Sequence, residues 1–409
     1  MDGPLTSLGW GRGPSRRLRR WKSHAGHAVG GPHPVLSAPL EGESALSSSS
    51  SSSSSPKSHP EGSLSMVELD GSKGEGGGQI LRTALSLSML TGRPFRMVKI
   101  RANRDKPGLR PQHLTAVEAA AMLSGATVEG AAVGARALTF RPAPYEPRDL
   151  DLDIGTAGAS ALVLQTLHLP LALRADRPLR LSLTGGTFNE KAPSYPFLAE
   201  TWRRHLAALG MPVAMAMPLA GFYPRGGGRL EAWIEPATPR GLTLLDRGPL
   251  VRISGMSGVS NLQGRGIADR MRARASDLLL ERGLEAEIEP IDWPGPGQGA
   301  AIALTVEFEQ VSATFVGLGA RGKPAGSVAE QAVQELLDYL DAPGAGAVDP
   351  HSADQLLLPL ALAEGRSVFT ASEATEHLRT NAETLRSFLD RPSRIEEPND
   401  APVRIVVGE

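Results

Sequence analysis

Apolar residues recur at helical spacing in three stretches, each of which ends at a glycine and continues into an alternating, strand-like segment. The units run from His113–Leu123 through Gly125 into Ala126–Glu129, from Phe197–Leu209 through Gly210 into Met211–Met217, and from Arg270–Arg282 through Gly283 into Leu284–Glu289. Glycine is the usual residue at the left-handed position that ends a helix. The recurrence predicts repeated α/β modules, each with helices layered on a small sheet.

The first module starts with a short apolar run, Met66–Leu69. The periodicity then predicts a helix over Gln79–Leu90 that ends near Gly92 and a strand over Phe95–Ile100. A later strand is predicted over Asp151–Ile154, again followed by an apolar helical stretch. These alternating elements are typical of small sheets covered by helices.

One stretch differs from the rest of the chain. Residues 244–342 have their own strand–helix–strand pattern, with a second clear helix over Ser327–Leu340. They lack the concentrations of glycine, arginine and histidine found elsewhere. We therefore expect a smaller inserted domain at 244–342, between the two parts of a larger domain, 66–243 and 343–409.

The first 65 residues differ in composition from everything that follows. They combine a basic cluster around Arg16 and Arg17 with many Gly and Pro residues and an unbroken serine run, Ser47–Ser55. Such a segment cannot bury enough apolar surface to offset its ordering entropy, so residues 1–65 are predicted to be a disordered tail. The basic cluster would suit weak RNA contacts; the alternative is a dispensable extension upstream of Met66.

Composition excludes several classes of chemistry. With 43 Lys and Arg against 44 Asp and Glu, global charge predicts no nucleic-acid partner, and such binding would need a local patch. The chain has no cysteine, which excludes disulfides, thiolate nucleophiles and Cys-containing zinc sites and is typical of a cytoplasmic protein. No apolar run is long enough to cross a bilayer, so no membrane association is expected. Nothing in the sequence indicates an obligate protein partner.

A glycine-dense stretch, Asp70–Arg82, connects the first strand to the first helix. Glycines ahead of a helix let the backbone approach an anion, with free N–H groups and the positive helix end directed at it. The stretch matches neither a Walker A motif nor a dinucleotide-binding fingerprint, and a plain tight turn is the alternative. Glu75, among the glycines, would suit a metal ion, and Arg82, one turn inside the helix, would suit a phosphate.

A basic loop follows the second strand. Arg101, Arg104, Lys106 and Arg110 crowd between a predicted strand and helix, and Gln112 and His113 begin that helix. An isolated loop of this kind is often only a solvated surface. Here Pro107, Gly108 and Pro111 stiffen it, and planar guanidinium groups match phosphate oxygens, so we interpret it as a phosphate-binding loop.

Further along, a second glycine-rich strand-to-helix turn, Gly155–Ser160, precedes a helix that contains Gln165. Gln165 lies two turns from Gly158 on roughly the same helical face, so it points back toward the loop; a buried packing amide is the alternative. The glycine clusters Gly185–Pro193 and Gly221–Gly228 resemble hairpin turns, and no chemistry is assigned to them.

Near the C-terminus, two capping-box patterns predict helix starts: Ser352 with Gln355, and Thr380 with Glu383. The second places His377 just before a helix N-terminus. A histidine there is often an exposed loop residue, yet the position suits covalent phosphoryl chemistry. A neutral imidazole would attack phosphorus while the helix end stabilises the developing negative charge.

Several of these segments together resemble the RNA 3′-terminal phosphate cyclases. The similarity extends from about Met66 to the C-terminus and excludes residues 1–65. The matching motifs are Asp70–Gly–Ser–x–Gly–Glu–Gly–Gly–Gly–Gln–Ile–Leu–Arg82, Arg101–Ala–x–Arg104–x–Lys–Pro–Gly108, Gln112–His–Leu–Thr–Ala–Val117, Gly155–x–Ala–Gly158, Gly185–Gly–Thr187, Ala353–Asp354–Gln355–Leu356 and His377–Leu–x–Thr–Asn381. The resemblance implies an α/β, layered α+β fold of three repeated modules, each a small β-sheet packed with two α-helices, plus a smaller inserted α/β domain.

The resemblance also implies an activity. Such an enzyme uses ATP and Mg²⁺ or Mn²⁺ to convert an RNA 3′-terminal phosphate into a 2′,3′-cyclic phosphate. His377 would attack the α-phosphate of ATP to give a covalent histidine–AMP, the AMP would pass to the RNA 3′-phosphate, and the neighbouring 2′-OH would close the ring and release AMP. The need for that hydroxyl accounts for the RNA preference.

Site residues follow from the same resemblance. Glu75 would hold the metal. Arg82, Arg101, Arg104, Gln112 and His113 would bind the phosphates of ATP or of the RNA terminus. Gln165, Asp354 and Gln355 would lie around the nucleotide. His351 stands where some relatives have a tyrosine, and its imidazole can still stack on a base.

Two other readings compete with the cyclase reading. One is a cyclase-like RNA-processing scaffold without catalysis, against which His377 in its His–Leu–x–Thr–Asn setting argues. The other is a transferase that acts on a phosphorylated metabolite, since the basic loop would serve either and fold does not determine function.

Overall fold

The computed structural model describes residues 64–74, 77–342, 346–399 and 401–408. Residues 1–63 of the predicted tail therefore lie outside the described residues. Glu75, the predicted metal ligand, also lies outside them.

The first module is built from two strand–helix units and a closing hairpin. Its elements are β1 (Val67–Asp70), α1 (Gly78–Thr91), β2 (Phe95–Val98), α2 (Pro111–Ser124), β3 (Thr127–Glu129) and β4 (Leu138–Arg141). The strands lie in the order β1-β2-β4-β3, in which β1 and β2 are parallel and the other neighbours are antiparallel.

The second module repeats this design. Its elements are β5 (Leu150–Asp153), α3 (Ser160–Arg174), β6 (Leu179–Gly185), α4 (Tyr195–Phe197), a π-helical turn (Leu198–Trp202), α5 (Arg203–Ala208), β7 (Val213–Leu219) and β8 (Gly228–Ile234). The order β5-β6-β8-β7 and the parallel first pair are those of the first module.

An additional sheet follows β9 (Thr243–Leu244). Its elements are β10 (Leu250–Ser260), α6 (Ile267–Glu281), β11 (Ala286–Asp292), β12 (Gly299–Phe308), β13 (Ser312–Leu318) and α7 (Ala325–Asp341). Its strand order, β11-β10-β12-β13, differs from that of the two modules before it.

The chain then completes a third module. Its elements after β9 are α8 (Pro350–Leu362), β14 (Ser367–Ala371), α9 (Glu376–Phe388), β15 (Ser393–Glu396) and β16 (Val403–Val407). β9 pairs in parallel with β14, and the order β9-β14-β16-β15 repeats that of the first two sheets. The predicted fold class, three repeated modules plus an inserted α/β unit, is thus confirmed. The exact domain boundaries at 244 and 342 stay a prediction.

Glycine ends the first two helices as the sequence predicts. Gly92 follows α1 with φ 72°, and Gly125 follows α2 with φ 54°. Both conformations are left-handed, where a side chain would be strained, and each glycine N–H still donates to a carbonyl in the preceding turn. The chain can therefore reverse direction within one residue and return to its sheet.

The two predicted capping boxes are wrong, because each helix begins earlier. Asp349 caps α8, and its Oδ1 accepts the N–H groups of His351 and Ser352 at 3.0 Å each. Thr375 caps α9, and its Oγ1 accepts the N–H of Leu378 at 3.1 Å. A Ser/Thr-x-x-Glu/Gln pattern also fits inside a helix, and here the upstream caps determine where each helix starts. His377 therefore lies within the first turn of α9 rather than before it.

Helix α1 lies at the centre of the fold. Helices α2, α3 and α9 all pack against it, and nearly all its residues are buried, including the polar Gln79, Thr83, Ser86 and Ser88. No helix among the described residues is long and apolar enough to cross a membrane. The expected cytoplasmic location stays a prediction.

The Thr375 cap gives a test of the helix start. Thr375→Ala removes the oxygen that accepts the Leu378 N–H, so the free energy of unfolding should fall by about 1 kcal/mol. Urea unfolding followed by circular dichroism measures it. Thr375→Ser keeps an acceptor and should retain most of the stability; an equal loss in both variants would show that the cap is not the cause.

Candidate active site

One cleft of about 1500 Å³ receives side chains from all three modules and from the inserted sheet. Nine of the ten predicted site residues line it. They are Arg82, Arg101, Arg104, Gln112, His113, Gln165, Asp354, Gln355 and His377. The tenth, Glu75, lies outside the described residues. The fold thus brings together residues separated by up to about three hundred positions, while their individual roles stay predictions.

A closed hydrogen-bond network joins helices α1, α8 and α9 on one side of the cleft. Gln79 of α1 donates from Nε2 to Asp354 Oδ2 of α8 at 2.7 Å, and its Oε1 lies 2.5 Å from Nδ1 of His377 on α9. One turn further along, Thr83 donates to Asn381 Oδ1 at 2.8 Å, and Asn381 Nδ2 donates to the Asp354 carbonyl at 2.8 Å. We call these five residues the three-helix junction.

Asp354 is an acid enclosed by protein on all sides but the cleft. Burial raises the pKa of its carboxyl group, while His377, the hydrogen bond from Gln79, Arg82 and His351 act in the opposite direction. A buried carboxylate needs such partners to remain ionised. Burial is the largest of these influences, so the net shift of the Asp354 pKa is upward.

Arg82 is the most enclosed cation of the cleft. Desolvation lowers its pKa to about 10, against the favourable influence of Asp354, so it remains positive at neutral pH. Its guanidinium makes no ion pair of 4.0 Å or less with any carboxylate in the described part of the chain. An enclosed guanidinium without a close counter-ion is costly, and a phosphate group in the cleft would offset that cost.

His113 is held as a neutral donor. It lies in the first turn of α2, and its Nδ1 accepts the backbone N–H of Arg110 at 3.0 Å. The proton of the neutral ring therefore sits on Nε2. Burial, and then the charges of Arg82, Arg101 and Arg110, lower its pKa to about 3. His113 can donate a hydrogen bond to a phosphate oxygen, but it does not serve as a second cation.

Residues of the basic loop differ in how firmly they are held. Arg101 has a left-handed backbone with φ 53°, and its guanidinium donates to the carbonyls of Lys106 at 2.8 Å and Gly108 at 3.0 Å. It thus braces its own loop while it lines the cleft. Arg104 and Lys106 make no ion pair among the described residues and can turn toward an anion. Asn103 ties the loop to the glycine-rich turn, with 2.7 Å from its Nδ2 to the Ser72 carbonyl.

The three glutamines predicted for the site are in different settings. Gln112 Oε1 accepts the Ala159 N–H at 2.9 Å and so anchors the second glycine-rich turn. Gln165 of α3 donates to Gln355 Oε1 of α8 at 2.5 Å, and Gln355 in turn donates to the His351 carbonyl at 2.8 Å. The last two form a polar wall that two modules share, and their amides offer further donors and acceptors.

Some residues of the cleft had no role predicted from sequence. Gln79 and Asn381 belong to motifs that carry the family resemblance, but no role was predicted for them or for Thr83. Gln79 and Thr83 are four residues apart, as are His377 and Asn381, so each pair lies on one helix face. This spacing is visible in the sequence and could have indicated that Thr83 and Asn381 belong to the site. The segment Asn189–Ser194, interpreted as a turn without chemistry, also lines the cleft.

The inserted sheet forms another wall of the cleft. Thr314, Phe315, Val316 and Leu318 of β13 line the cleft, together with Lys323 ahead of α7. Hydrogen bonds hold this wall against the π-helical turn of the second module: Thr201 Oγ1 lies 2.8 Å from Thr314 Oγ1, and Ser312 donates to the Glu200 carbonyl at 2.7 Å. No part in the site was predicted for this segment from its sequence.

The predicted metal site depends on Glu75. Within the described residues, no group of three or more His, Asp and Glu side chains is arranged to hold a metal ion. Mg²⁺ is commonly held by one or two carboxylates together with substrate phosphates and water. A metal ion held by Glu75 at this cleft therefore stays a prediction.

Comparison with known proteins shows the family of this chain. The family model described as RNA 3′-terminal phosphate cyclase matches residues 73–395. This chain belongs to that family. Proteins named RNA 3′-terminal phosphate cyclase are 46% identical over 340 residues in Ralstonia nicotianae and 46% identical over 350 residues in Koribacter versatilis. The aligned regions cover 82% and 85% of this chain and 95% and 96% of those cyclases.

A third relative gives a similar match. The cyclase of Pyrobaculum neutrophilum is 41% identical over 334 residues, which is 81% of this chain and 95% of that protein. The predicted membership of the cyclase family, inferred from motifs, is confirmed. The match starts within the glycine-rich turn and ends in β15, so it includes the cleft and the inserted sheet.

Two buried histidines should make the free energy of unfolding depend on pH. Burial lowers the pKa of His113 and of His168 to about 3, below the ordinary 6.5. As the pH falls below about 6.5, the two histidines take up protons in the unfolded chain before they do so in the folded protein. The free energy of unfolding therefore decreases as the pH falls. From about pH 7.5 to about pH 5.5 the loss should be roughly 1 kcal/mol per histidine. Urea unfolding at a series of pH values measures it.

His168 provides the variant for that measurement. Within the described part of the chain its Nε2 has no hydrogen-bond partner, and its ring packs edge-on against Trp202, with centroids 5.0 Å apart. His168→Phe keeps an aromatic ring and removes the titration, so the loss of stability on acidification should be smaller than in the wild type. An unchanged slope would contradict the assignment of this loss to His168.

Proposed function

We propose that this protein converts the 3′-terminal phosphate of RNA into a 2′,3′-cyclic phosphodiester and that it consumes ATP to do so. The observation that carries the proposal is the position of His377. It lies in the first turn of a helix, is held by hydrogen bonding, and faces a cleft that also contains Arg82 and His113. Family membership supplies the substrate class.

The first step is attack by His377 on the α-phosphate of ATP. A nitrogen lone pair of the imidazole forms the N–P bond, the bond from that phosphorus to the bridging oxygen breaks, and pyrophosphate leaves. The N-terminus of α9 carries partial positive charge, which favours the negative charge that accumulates on the phosphoryl oxygens. A histidine nucleophile suits this step because its neutral form is available near pH 7.

Two further steps complete the reaction. An oxygen of the RNA 3′-phosphate attacks the histidine-bound AMP, and the N–P bond breaks, so that AMP becomes joined to the RNA phosphate. The vicinal 2′-OH then loses its proton, attacks the 3′-phosphorus and expels AMP, which closes the cyclic ester. ATP supplies a good leaving group, AMP, at a phosphate that otherwise has none.

Charge in the cleft matches these substrates. Arg82 supplies an enclosed cation, Arg104 and Lys106 supply cations on the basic loop, and His113 supplies a neutral N–H donor. Together they can bind several phosphate groups, some through cations and some through a neutral N–H donor. Gln165 and Gln355 offer hydrogen bonds to a nucleoside. Bound Mg²⁺ or Mn²⁺ would supply further charge neutralisation at the phosphates, with Glu75 as its protein ligand.

The adenylylated enzyme is the most direct test. Incubation with ATP labelled at the α-phosphate and Mg²⁺ or Mn²⁺ should give an acid-labile protein–AMP adduct, and His377→Ala should give none. Autoradiography after denaturing electrophoresis measures it. Persistence of the adduct in His377→Ala would refute the assigned nucleophile, and its absence from the wild type would favour the scaffold reading.

RNA substrates that differ at the 3′-terminal 2′ position test the two steps after adduct formation. RNA with a 3′-phosphate should yield the cyclic phosphate and AMP, whereas the same RNA with a 2′-deoxy terminus should stop at the adenylylated end. Chromatography of the labelled termini distinguishes the two products. Cyclisation of the deoxy terminus is incompatible with this mechanism.

Variants of Arg82 test its proposed contact with a phosphate group. Arg82→Met removes the enclosed cation with little change of volume, and adduct formation should fall by on the order of 10²-fold. Arg82→Lys should restore only part of the rate, because an ammonium group cannot reproduce the planar fork. Arg282→Met is the matched control, since Arg282 pairs with Asp341 on the exposed surface of the inserted unit. A full rate in Arg82→Met would exclude the proposed contact.

A further inference from the structure

We infer that Tyr223 and Arg225 form a binding platform for the single-stranded RNA that precedes the terminal phosphate, with a base stacked on the tyrosine ring and a phosphodiester bound by the guanidinium. Both residues lie between β7 and β8, in the glycine cluster Gly221–Gly228 for which no chemistry was predicted from sequence. This inference rests on the proposed function and adds to it the part of the RNA that lies outside the cleft.

Tyr223 exposes 80% of its surface, more than any other large apolar side chain among the described residues. Its ring makes no aromatic contact and its hydroxyl makes no hydrogen bond within that part of the chain. Isolated exposed apolar side chains are common on protein surfaces and need no function. The surroundings of Tyr223 are what indicate a ligand, because they fix the ring close to the cleft.

The preceding residue, Phe222, anchors the turn that carries Tyr223. Its buried ring stacks on Phe188, with centroids 4.5 Å apart and planes 1° from parallel, and its centroid lies 6.2 Å from that of Trp293. The Gly226 N–H donates to the Phe222 carbonyl at 2.8 Å and so closes the turn. An aromatic ring presented on a fixed turn loses little conformational entropy when it binds a ligand.

Two parts of the fold support this turn. In the second module, the Gly221 N–H donates to Thr187 Oγ1 at 2.9 Å. In the inserted unit, the Pro294 carbonyl accepts the Ala220 N–H at 2.7 Å. The position of Tyr223 is therefore set by two units whose side chains also line the cleft.

The turn that carries Tyr223 packs against the rim of the cleft. Gly226 approaches the second glycine-rich turn so closely that a Cβ at this position would lie 2.6 Å from Ala157 Cα, and its φ of 67° also favours glycine. Asn189 Nδ2 donates to the Ala157 carbonyl at 2.6 Å, and Gln112 Oε1 accepts a backbone N–H of the same turn at 2.9 Å. Asn189 and Gln112 both line the cleft. One turn of backbone thus separates the Tyr223 loop from the proposed phosphate site.

Single-stranded RNA is the ligand that suits this position. In the proposed reaction the cleft holds ATP and the terminal nucleotide, so the preceding nucleotides must leave the cleft along its rim. Proteins bind such strands mainly by stacking unpaired bases on aromatic rings and by binding the backbone with cations. Tyr223 offers the ring for one such base.

Arg225 supplies the cation. It is exposed, makes no ion pair within the described residues, and its stem lies against Gly297 of the inserted unit. Charge in the neighbouring segments is mixed, since Asp153 and Asp292 are also exposed there. The ring and one guanidinium therefore account for the recognition, and a single phosphodiester contact is expected.

The first test measures RNA binding in the absence of ATP, so that no reaction intervenes. Fluorescence anisotropy gives the dissociation constants of a 5′-labelled decaribonucleotide with a 3′-phosphate and of the corresponding dinucleotide. Tyr223→Ala should weaken binding of the longer RNA by on the order of 10-fold and reduce the preference for it over the dinucleotide. Tyr223→Phe should retain most of the affinity, because the stacking ring remains. Trp233→Ala is the matched control, since it removes another exposed aromatic ring, from β8, and should leave both constants unchanged.

Abasic substitutions identify the base that stacks on Tyr223. A series of decaribonucleotides, each with one base removed, should contain one position at which the loss weakens binding to the wild type by a similar factor. The same loss should have almost no effect in Tyr223→Ala, because the two changes remove the two halves of one contact. A ring with a merely structural role would give independent effects at every position.

Salt dependence tests Arg225. Each phosphate contact to a single strand contributes about 0.7 to the slope of log association constant against log salt concentration, so Arg225→Met should reduce that slope by this amount. Arg282→Met is the control, since Arg282 pairs with Asp341 on the surface of the inserted unit. An unchanged slope in Arg225→Met would overturn the assignment of Arg225 to the platform.

These measurements separate the platform from the proposed function. Equal affinities of the wild type and Tyr223→Ala for the decaribonucleotide, or independent effects at every abasic position, would overturn the platform and leave the cyclisation proposal untouched. A wild-type protein that binds RNA through Tyr223 but forms neither the AMP adduct nor the cyclic phosphate would instead overturn the proposed function and leave the platform in place.

Discussion

Hydrogen bonding between Gln79, Asp354 and His377 is the constraint on which the cleft depends. These side chains come from α1, α8 and α9, and the fold must hold three helix axes in one arrangement for both bonds to form. The Thr83–Asn381 pair repeats the connection one turn away, so the helices cannot rotate independently without losing bonds at two levels. Since buried polar groups without partners are costly, this network favours a single packing of the helices.

The other ionisable groups of the site are either stabilised by a neighbouring charge or kept neutral. Arg82 of α1 and Asp354 of α8 both line the cleft, and each favours the charged form of the other. His113 avoids a charge altogether by accepting a backbone N–H and remaining neutral. A cleft that combines the enclosed Arg82, the loop cations Arg104 and Lys106 and the neutral donor His113 can bind several phosphates in succession. Such binding is what the proposed adenylyl transfer between ATP and an RNA end requires.

The helix ends and the repeated modules could be predicted from short sequence patterns. Helices α1 and α2 end at the predicted glycines because a left-handed turn excludes most other residues, and the repeat of helix, glycine and strand reflects a real repeat of sheet order. The capping boxes were mislocated because Ser352 and Thr380 match a short pattern that Asp349 and Thr375, three and five residues earlier, fulfil instead. The inserted sheet was recognised as a separate pattern, but its role as a wall of the cleft depends on contacts such as Thr201–Thr314, between residues far apart in sequence.

By itself, the sequence determined the helices and strands, their repetition, and the residue types able to bind phosphate, because these depend on periodicity, turn chemistry and functional groups within short windows. Its motifs also determined the family. Only the tertiary structure decided which of these residues meet: that Gln79 lies between Asp354 and His377, that Arg101 braces its own loop, and that His113 is a neutral donor. Hydrogen-bond partners and desolvation arise from the packing of distant segments, which no local pattern records.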